Sequence, residues 1–412
     1  MMQTEQHKVV VVGAGPSGSI AAAILQRKGH SVLVLERQQF PRFSIGESLL
    51  SHCLDFIEEA GMLDAVEQAG FQLKHGAAFG WGERYAEFDF TEGKGTTYQV
   101  RRADFDKLLA DEAERQGVEI RYLEEIIAVD FSGDKPQLTV RRLADQSEYV
   151  IRCEFVLDAS GYGRVLPRLL DLEAPSSFPV RKAVFTHVQD NITDPQFNRE
   201  KILITTHPEF RDVWYWSIPF SDGFCSLGVV AHESRYADRP EDLEACLKEF
   251  VNEAPNLKRI FKDAVWSQPF RTMGGYSANV KALHGKGFAL LGNAAEFLDP
   301  VFSSGVTIGM RSSSMAANLL DKQLRGESVD WENQFAVPLK KGVDTFRTYV
   351  EGWYSTEFQD VIYYPHAQAD IKRMISSILA GYAWDTANPY VADSRRRLSV
   401  LAELCGVQKV EG

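Results

Sequence analysis

The chain has 412 residues, enough for two or three domains, and its hydrophobic (44%) and charged (25%) fractions are those of an ordinary globular protein. This composition excludes disorder, collagen and low complexity as descriptions of the whole chain. The 45 Lys and Arg residues against 57 Asp and Glu give a formal charge of −12, which argues against nucleic acid or an anionic membrane as a partner.

The N-terminal residues MMQTEQHK lack the apolar segment of a secretory signal, and no apolar run reaches the length of a membrane span. The cysteines show no CxxC spacing and the histidines no HExxH spacing, so neither a disulfide framework nor a metal centre is indicated. The five cysteines are Cys53, Cys153, Cys225, Cys246 and Cys405. We therefore expect a cytoplasmic protein that binds no metal.

Residues 8–36 predict a strand, a helix and a second strand. The β-branched run KVVVV (8–12) is typical of a strand buried on both faces, and GAGPSG follows it at once. The next residues predict a helix that ends at Gly29. The second strand, SVLVLE, ends at Glu36, 23 residues after Gly13. This βαβ context is the one in which a glycine-rich turn binds a dinucleotide.

Gly13, Gly15 and Gly18 occupy the three positions of a GxGxxG fingerprint. Gly13 permits the tight turn, Gly15 lets a pyrophosphate approach the backbone, and Gly18 lets the helix lie close to the strand. Free N–H groups at the helix N-terminus bind phosphates, and the Glu36 carboxylate accepts hydrogen bonds from ribose hydroxyls. The motif leaves NAD and FAD open, and a glycine-rich turn without a ligand is the alternative.

Two later strand ends favour FAD. Residues 153–161 (CEFVLDASG) end in Asp158 and small residues, and residues 287–300 (GFALLGNAAEFLDP) carry Asn293 in a similar turn. Backbone at such turns can approach a ligand closely. The order GxGxxG, DASG, GNAA and DP is the layout of a flavoprotein that binds one extended FAD. Residues 98–109 place Arg102 ahead of a helix, where it resembles the FAD-contacting arginine of such flavoproteins; a solvated arginine is the alternative.

These patterns predict an α/β fold with a Rossmann-type FAD-binding domain, an antiparallel β-sheet domain on the substrate side and a C-terminal helical region. β-Rich segments such as KAVFTHV, REKILITTH, VWYWSIPF and FCSLGVVAH define the second domain, and residues 240–254 predict a helix within it. The predicted boundaries are 1–78, 98–180 and 270–325 for the FAD-binding domain, 79–97 and 181–269 for the sheet domain, and 326–412 for the helical region.

The C-terminal region is rich in aromatic residues at helical spacing. Such residues usually form core, and the alternative is that some of them wall an aromatic substrate pocket. They are Phe346, Tyr349, Trp353, Tyr354, Phe358, Tyr363, Tyr364, Tyr382, Trp384 and Tyr390.

Three further segments are far more specific than GxGxxG. VWYWSIPF contains WxWxIP with Trp214 and Trp216, FLDPVFSSG contains an FxxPxxSxG arrangement, and GFQLKHGA contains Lys74 shortly after FPRFSIGESLL. Together these segments resemble the FAD-dependent halogenases of the pyrrole and phenol type. The resemblance extends from residue 8 to about residue 355 and is weakest in the C-terminal helices.

The resemblance implies FAD, used as FADH2, and a halide ion, chloride or bromide, as the cofactors. It assigns the halide to the turn at Ser304 and Gly305, where helix N–H groups form an anion site; a turn that only holds the flavin is the alternative. The implied FAD contacts are Gly13, Gly15, Ser17, Gly18, Glu36, Arg37, Ser44, Arg102, Asp158, Asn293, Pro300 and Gly305.

The resemblance also makes Lys74 the catalytic lysine and Trp214 and Trp216 a barrier between flavin and substrate. Alternation along a strand places both tryptophans on one face and Tyr215 on the other, and two packed core tryptophans are the alternative. Lys74 would either donate a hydrogen bond to hypohalous acid or, as a neutral amine, carry the halogen itself. Burial lowers a lysine pKa and favours the second route.

The chain is shorter than the tryptophan halogenases, and their catalytic glutamate cannot be located, so we expect a pyrrole or phenol ring, free or tethered to a carrier protein, as the substrate. Lys340-Lys341 and Arg395-Arg396-Arg397 are candidate docking patches, with a solvated helix face as the favoured alternative. The single dinucleotide fingerprint predicts a separate flavin reductase. An FAD-dependent monooxygenase or a related flavin oxidoreductase is the alternative function.

Overall fold

The computed structural model describes residues 3–91 and 93–407, and two large sheets organise these residues. One sheet carries the turns that are predicted to bind the nucleotide, and the other lies over the far end of these turns. Across the described ranges, no helix combines the length and the apolar character needed to cross a membrane.

The first sheet has six strands and is parallel except for its first pair. In spatial order its strands are His284–Gly285, Phe288–Leu290, Phe155–Asp158, Val9–Val12, Val32–Glu36 and Glu119–Tyr122. The predicted strand–helix–strand unit is therefore present at its centre, with the helix at Pro16–Arg27. The turns predicted to bind FAD follow the carboxyl ends of three of these strands, as expected for an open parallel sheet.

Alternate residues of the central strand bury against different layers. Val9 and Val11 pack with the helices on one face, and Val10 and Val12 pack with a four-stranded sheet on the other. The helices of the first face are Pro16–Arg27, Arg102–Arg115 and Ser304–Leu324. The strands of the second face are Thr4–Gln6, Glu148–Arg152, Gln137–Arg142 and Glu124–Asp130. The sequence patterns did not predict this four-stranded sheet.

The second large sheet has seven strands. In spatial order they are Arg271–Gly274, Arg181–Gln189, Phe224–His232, Trp214–Pro219, Lys201–Thr206, Gly76–Trp81 and Arg84–Asp89. Every neighbouring pair is antiparallel except Lys201–Thr206 and Gly76–Trp81, which are joined by a long enough connection to run parallel. Residues 76–78 and 271–274 belong to this sheet, although they lie in segments that were predicted to belong to the FAD-binding domain.

The two faces of the seven-stranded sheet have different neighbours. Trp214 and Trp216 face the FAD-binding side, whereas Tyr215 packs on the opposite face, as the alternation predicted. Helices Leu243–Glu253 and Pro255–Ile260 cover that opposite face. The first of these helices lies within the predicted range 240–254 and is capped by Asp242, whose carboxylate accepts a hydrogen bond from Ala245 N–H.

Shorter elements connect the two sheets. A two-stranded ribbon of Gln72–Lys74 and Thr97–Gln99 positions Lys74, and a second ribbon pairs Glu173–Ala174 with Asn279–Val280. Short helices occupy Cys53–Glu59, Leu63–Gln68 and Val165–Leu169.

The C-terminal region is helical, as predicted, up to residue 407, and residues 408–412 of the predicted range lie outside the described residues. Of the ten aromatic residues singled out in its sequence, six are buried in the core, and the other four are partly buried against it. Phe346, Tyr349, Trp353 and Phe358 are each at most 1% exposed, and the Trp353 ring packs edge-on against Phe302. The helices are Val337–Tyr354, Glu357–Ile362, Ala369–Leu379, Pro389–Ala392 and Ser394–Val407. These rings therefore support the substrate-side sheet and the turn before helix Ser304–Leu324.

Candidate active site

A groove of about 890 Å³ runs along the carboxyl ends of the central parallel strands. It begins at the GxGxxG turn and ends at the N-terminus of helix Ser304–Leu324. Of the residues predicted to contact FAD, those that line the groove are Gly13, Gly15, Ser17, Glu36, Arg37, Ser44, Arg102, Asn293 and Gly305. A volume in this range suits an extended organic cofactor.

Neighbouring backbone lies so close to Gly13 and Gly18 that a side chain at either position would clash with it. Gly13 has a φ of +93°, and a Cβ there would lie 2.8 Å from the carbonyl oxygen of Ala159. A Cβ on Gly18 would lie 1.8 Å from the carbonyl oxygen of Gly13, so helix Pro16–Arg27 can pack on the turn only without a side chain at that position. Gly18 thus shapes the groove without lining it.

Glu36 is nearly buried at the end of its strand, with both carboxylate oxygens in use. One oxygen accepts a hydrogen bond from Ala14 N–H at 2.9 Å, and the other accepts one from Gln38 N–H at 2.8 Å. A carboxylate has about four acceptor positions, so each oxygen can still accept a ribose hydroxyl. The carboxylate therefore holds the glycine turn in shape and faces the part of the groove where a ribose would lie.

Arg102 braces residues 42–49, which we call the strap. Its guanidinium donates to the carbonyl oxygens of Ile45 at 2.6 Å and Gly46 at 3.3 Å, and it is paired with the buried Asp106. Arg42 binds the same Asp106 at 2.9 Å and lies beside Gly15 at the mouth of the groove. Arg102 lines the groove, and it shares Asp106 with Arg42.

Asp158 lies under its turn and does not line the groove. Its oxygens accept hydrogen bonds from Ser160 N–H at 2.9 Å and Leu166 N–H at 2.6 Å. Burial raises the pKa of this carboxyl group. The groove is lined instead by Ala159, Ser160 and Gly161, whose backbone Asp158 holds in place.

The turn before helix Ser304–Leu324 presents an N-terminus to the end of the groove. Ser303 has a φ of +56° and Gly305 lines the groove, while Ser304 is 2% exposed and lines neither the groove nor the smaller cavity beyond it. A Cβ on Gly309 would lie 2.4 Å from Ser17 Oγ, so this helix packs tightly on helix Pro16–Arg27. The first N–H groups of a helix have no partner within the helix, so this N-terminus suits an anion or the edge of a polar ring.

That smaller cavity of about 90 Å³, which we call the inner chamber, continues from this end of the groove. Aliphatic and aromatic side chains of the seven-stranded sheet form one wall, and the turn at Pro300 forms another. Its lining residues include Glu47, Ser48, Ile202, Ile204, Trp214, Trp216, Ile218, Pro300, Ser303 and Gly305. Both predicted barrier tryptophans thus face the space beside the predicted halide turn.

Hydrogen bonds and close packing fix both tryptophan rings. Trp214 Nε1–H donates to the Tyr354 hydroxyl oxygen at 2.9 Å, and that hydroxyl donates to Asp299 at 2.9 Å. Trp216 Nε1–H donates to Ser226 Oγ at 3.0 Å, and a Cβ on Gly228 would lie 2.3 Å from the Trp216 ring. Burial raises the pKa of Asp299 to about 6.

Lys74 is 1% exposed and points into the protein. Its Nζ donates to Ser48 Oγ and to the Leu49 carbonyl oxygen, each at 2.8 Å, and lies 5.1 Å from the centre of the Phe90 ring. Burial lowers the pKa of Lys74 to about 7, against a weak opposite influence of Cys53. Lys74 does not line the inner chamber, whereas Ser48 does.

Four polar residues at this site were not predicted from the sequence. Arg42, Glu47 and Ser48 belong to the FPRFSIGESLL segment, in which no role was assigned to them. His187 lies on strand Arg181–Gln189 and bonds Glu47 across the interface between the two sheets. A charged residue next to a glycine in an apolar segment was the available signal for Glu47. His187 had no comparable signal, because its partner is 140 residues away.

Comparison with known proteins agrees with this site. A family model described as an FAD binding domain matches residues 6–332. The 1H-pyrrole-2-carbonyl-peptidyl-carrier protein brominase of Pseudoalteromonas luteoviolacea is 30% identical over 339 residues, which cover 81% of this chain and 82% of the relative. The chain belongs to the flavin-dependent halogenase family.

Other relatives of this halogenase family member differ in length and description. A tryptophan 2-halogenase of Chondromyces crocatus is 31% identical, and the match covers 79% of this chain and 63% of the relative, so the chain spans less than two thirds of that protein. A crystal structure of a flavoprotein/dehydrogenase from Cytophaga hutchinsonii is 40% identical with a TM-score of 0.94, covering 98% of this chain and all of the other. The flavin-dependent brominase Bmp2 is 25% identical with a TM-score of 0.84 and covers 99% and 100%.

The residues of this halogenase family member fit FAD. Bare backbone at Gly13 and Gly15 accommodates a pyrophosphate, and the Glu36 carboxylate accommodates a ribose. At the opposite end, Asn293 and Gly305 lie where the groove opens into the inner chamber, which suits the isoalloxazine ring. The groove therefore suits FAD in an extended conformation and in one orientation, with the pyrophosphate at the GxGxxG turn and the isoalloxazine ring beside the inner chamber.

Proposed function

We propose that this protein is a reduced-flavin-dependent halogenase that uses oxygen and chloride or bromide to halogenate an electron-rich aromatic ring. One observation carries the proposal: Trp214 and Trp216 wall the inner chamber, Lys74 lies outside its lining, and Ser48 lines the chamber while its Oγ accepts a hydrogen bond from Lys74 Nζ. An oxidant made in the chamber is thereby kept apart from a ring that is modified at the lysine.

FAD bound in its reduced form would supply the electrons that reduce oxygen beside a halide ion. The N–H groups of Ser304 and Gly305 would hold the halide, since a helix N-terminus attracts anions. The indole rings of Trp214 and Trp216 would exclude an aromatic substrate from the chamber and leave room for small molecules. Hypohalous acid is small enough to move past them toward Lys74.

Lys74 would deliver the halogen to the ring. With a pKa of about 7, its amine is present in both protonation states near neutral pH. The ammonium form would donate a hydrogen bond to hypohalous acid and polarise the halogen. The neutral amine would react with hypohalous acid to form a nitrogen–halogen bond and water, and then transfer the halogen to the ring.

The descriptions of two relatives support the proposed substrate class, and the single GxGxxG motif supports the proposed partner. Two relatives are described as a brominase and a chlorinase of 1H-pyrrole-2-carbonyl-peptidyl-carrier protein, the latter from Pseudomonas fluorescens at 29% identity. These descriptions favour a pyrrole, free or carrier-bound, over other rings, with a phenol as the next choice. A separate flavin reductase would supply FADH2, because the sequence carries one dinucleotide fingerprint.

The test combines the protein with a flavin reductase, oxygen, bromide or chloride, and a panel of free and carrier-bound pyrroles and phenols. Mass spectrometry should find halogenated products. Lys74→Met should bind FAD and oxidise halide as the wild type does, yet halogenate at least tenfold more slowly. Lys262→Met, at an exposed lysine, is the matched control and should halogenate normally. Wild-type rates in Lys74→Met would exclude the lysine role.

A second candidate function is an FAD-dependent monooxygenase or a related flavin oxidoreductase. It is favoured by the 40% identical structure, which is described as a flavoprotein/dehydrogenase. Asn293, where such hydroxylases usually carry Asp, favours the halogenase. NADPH oxidation by the protein alone, stimulated by an aromatic substrate and independent of halide, would support the oxidoreductase and overturn the halogenase.

A further inference from the structure

Glu47 is a buried carboxyl group on the wall of the inner chamber. It is 1% exposed, and its Oε1 lies 2.7 Å from His187 Nε2. Its Oε2 is buried and has no hydrogen-bond partner within the described residues. A buried carboxyl oxygen without a partner is costly, so it indicates a group that meets a ligand or a reacting species.

His187 links Glu47 to the surface of the protein. Its Nδ1 lies 3.3 Å from Arg101 Nη1, which can only donate, so Nδ1 is the acceptor and the ring proton is on Nε2. The Nε2–H then donates to Glu47 Oε1. Arg101 is paired at 2.7 Å with Asp222, whose side chain is 49% exposed. Asp222, Arg101, His187 and Glu47 thus form a continuous chain from solvent to the inner chamber.

The proposed reaction needs a proton in this chamber. One reduced FAD, one oxygen molecule, one halide ion and one proton give oxidised FAD, hypohalous acid and water. Reduced FAD and the halide each lose two electrons, and oxygen gains four. The sheet wall of the chamber is formed by apolar and indole side chains, which do not supply protons. Glu47 and Tyr162 are the acids among the lining residues, and burial raises the pKa of Tyr162 to about 12, so the carboxyl group of Glu47 is the better proton donor.

We propose that Glu47 donates this proton and that His187 reprotonates it from solvent, an inference that rests on the proposed function. The proton leaves Glu47 Oε2 for the oxygen that becomes water. When Arg101 moves toward Asp222, His187 first takes a proton from solvent at Nδ1, and the resulting imidazolium passes its Nε2 proton to Glu47. Exchange of the remaining ring proton with solvent restores the Nε2–H form before the next turnover. The long 3.3 Å contact between Arg101 and His187 suits such an exchange.

Charged and titratable groups from several elements face this pair. Arg102 lies close enough to Glu47 to act on it electrostatically and donates to the two carbonyl groups just before it in the strap. Arg101 faces His187, and the Cys225 thiol, on the neighbouring strand Phe224–His232, lies within electrostatic range of Glu47. Among these groups, Arg102 acts on Glu47 and Arg101 contacts His187.

The alternative is that Glu47 only ties the strap to the sheet. The strap is also tied by backbone bonds, with Val100 N–H donating to Glu47 O at 2.8 Å and Leu49 N–H to Tyr98 O at 3.0 Å. Glu47→Gln keeps the size and an acceptor for His187 Nε2–H and removes the proton donor. This variant therefore separates the two roles.

The experiment measures hypohalous acid, trapped by a small scavenger, and hydrogen peroxide from wild type, Glu47→Gln and Glu47→Ala with FADH2, oxygen and bromide. Glu47→Gln should form hypohalous acid at least tenfold more slowly, with peroxide released instead and FAD affinity unchanged. Formic acid should restore activity to Glu47→Ala and not to Glu47→Gln. Glu332→Gln, which removes the carboxylate of an exposed Glu–His pair at 3.0 Å, is the matched control and should match the wild type.

A second measurement does not depend on turnover. In FAD-free protein, nitrogen NMR should show His187 as the Nε2–H tautomer, both in the wild type and in Glu47→Gln. An Nδ1–H tautomer would overturn the relay, as would wild-type hypohalous acid formation by Glu47→Gln. If the wild-type protein oxidises neither chloride nor bromide at any pH, the proposed function is overturned. The relay, which rests on that function, is then overturned with it.

Discussion

The indole Nε1–H of Trp214 donates a 2.9 Å hydrogen bond to the hydroxyl oxygen of Tyr354. Tyr354 is the last residue of helix Val337–Tyr354, and its hydroxyl donates in turn to Asp299, which also accepts from Val301 N–H at 3.0 Å. One short chain of bonds thus joins the C-terminal helices, the tryptophan wall and the turn that precedes the predicted halide site. The position of the wall depends on a helix outside the FAD-binding domain.

Tyr354→Phe should loosen this wall without removing it. The substitution leaves Trp214 Nε1–H and one Asp299 oxygen without their partner, at a cost of about 1–3 kcal/mol of stability. We expect several-fold more peroxide per halogenated product, measured with reductase, oxygen and bromide. Tyr85→Phe, at an exposed tyrosine that bonds Glu87, is the control. Unchanged coupling in Tyr354→Phe would show that the bond does not set the wall.

Lys74→Met should change how stability depends on pH. Burial lowers the folded-state pKa of Lys74 from 10.5 to about 7, so between these values the unfolded chain binds a proton that the folded chain does not. This group therefore makes the free energy of unfolding of the wild type rise by about 1.4 kcal/mol per pH unit across that window. Below pH 7 both states are protonated, so this pH dependence disappears and the cost of burying the ammonium group is fully present. Lys74→Met lacks this pH dependence, because methionine does not titrate.

Urea unfolding of both FAD-free proteins at pH 7, 8 and 9 measures the difference. The stability of Lys74→Met relative to the wild type should fall with each step in pH. A difference that stays constant over this range would mean that Lys74 titrates near its ordinary pKa, and that the neutral amine is not available at neutral pH.

Gly228→Ala should disturb Trp216. The added Cβ would lie 2.3 Å from the indole ring and 2.7 Å from Phe185 Cβ, so the ring must move toward the inner chamber. Overpacking of this kind costs about 1–3 kcal/mol. We expect a lower melting temperature and weaker FAD binding, measured by fluorescence titration. Gly133→Ala is the control, because its nearest neighbour would be 3.8 Å away; equal FAD affinity in both variants would contradict the prediction.

Glu36→Ala should weaken FAD binding. The carboxylate bonds Ala14 N–H and Gln38 N–H and faces the groove, and hydrogen bonds to a charged group contribute about 1.5–3 kcal/mol. The Kd for FAD should therefore rise about tenfold or more in equilibrium titration. Glu154→Ala, at an exposed glutamate, should leave the Kd unchanged. An unchanged Kd in Glu36→Ala would place the ribose elsewhere.

Local patterns predicted a large part of this molecule. The role of Gly18 follows from a steric contact with Gly13, five residues away, and the placement of Trp214 and Trp216 on one face follows from the two-residue period of a strand. The family resemblance selected Lys74, which the structure places in a buried position, hydrogen-bonded to Ser48 and Leu49. These features required no knowledge of distant contacts.

The remaining features depend on contacts between distant segments. Glu47 and His187 are 140 residues apart, and no local pattern marks a bond between them. Asp158 stood in a strand-end motif typical of FAD contacts, yet the chain folds its side chain away from the groove to bond Ser160 and Leu166. The four-stranded sheet was missed even though its strands alternate buried and more exposed residues, which is the local signal of a half-buried strand.

The strap touches every part of the site within a few residues. Ile45 lines the FAD groove, Glu47 and Ser48 line the inner chamber, and the Leu49 carbonyl oxygen holds Lys74. A segment of five residues, 45–49, thus spans the distance from the FAD groove to the carbonyl oxygen beside the amine. Substitutions within this segment should therefore affect FAD binding and the hydrogen bonds of Lys74 together.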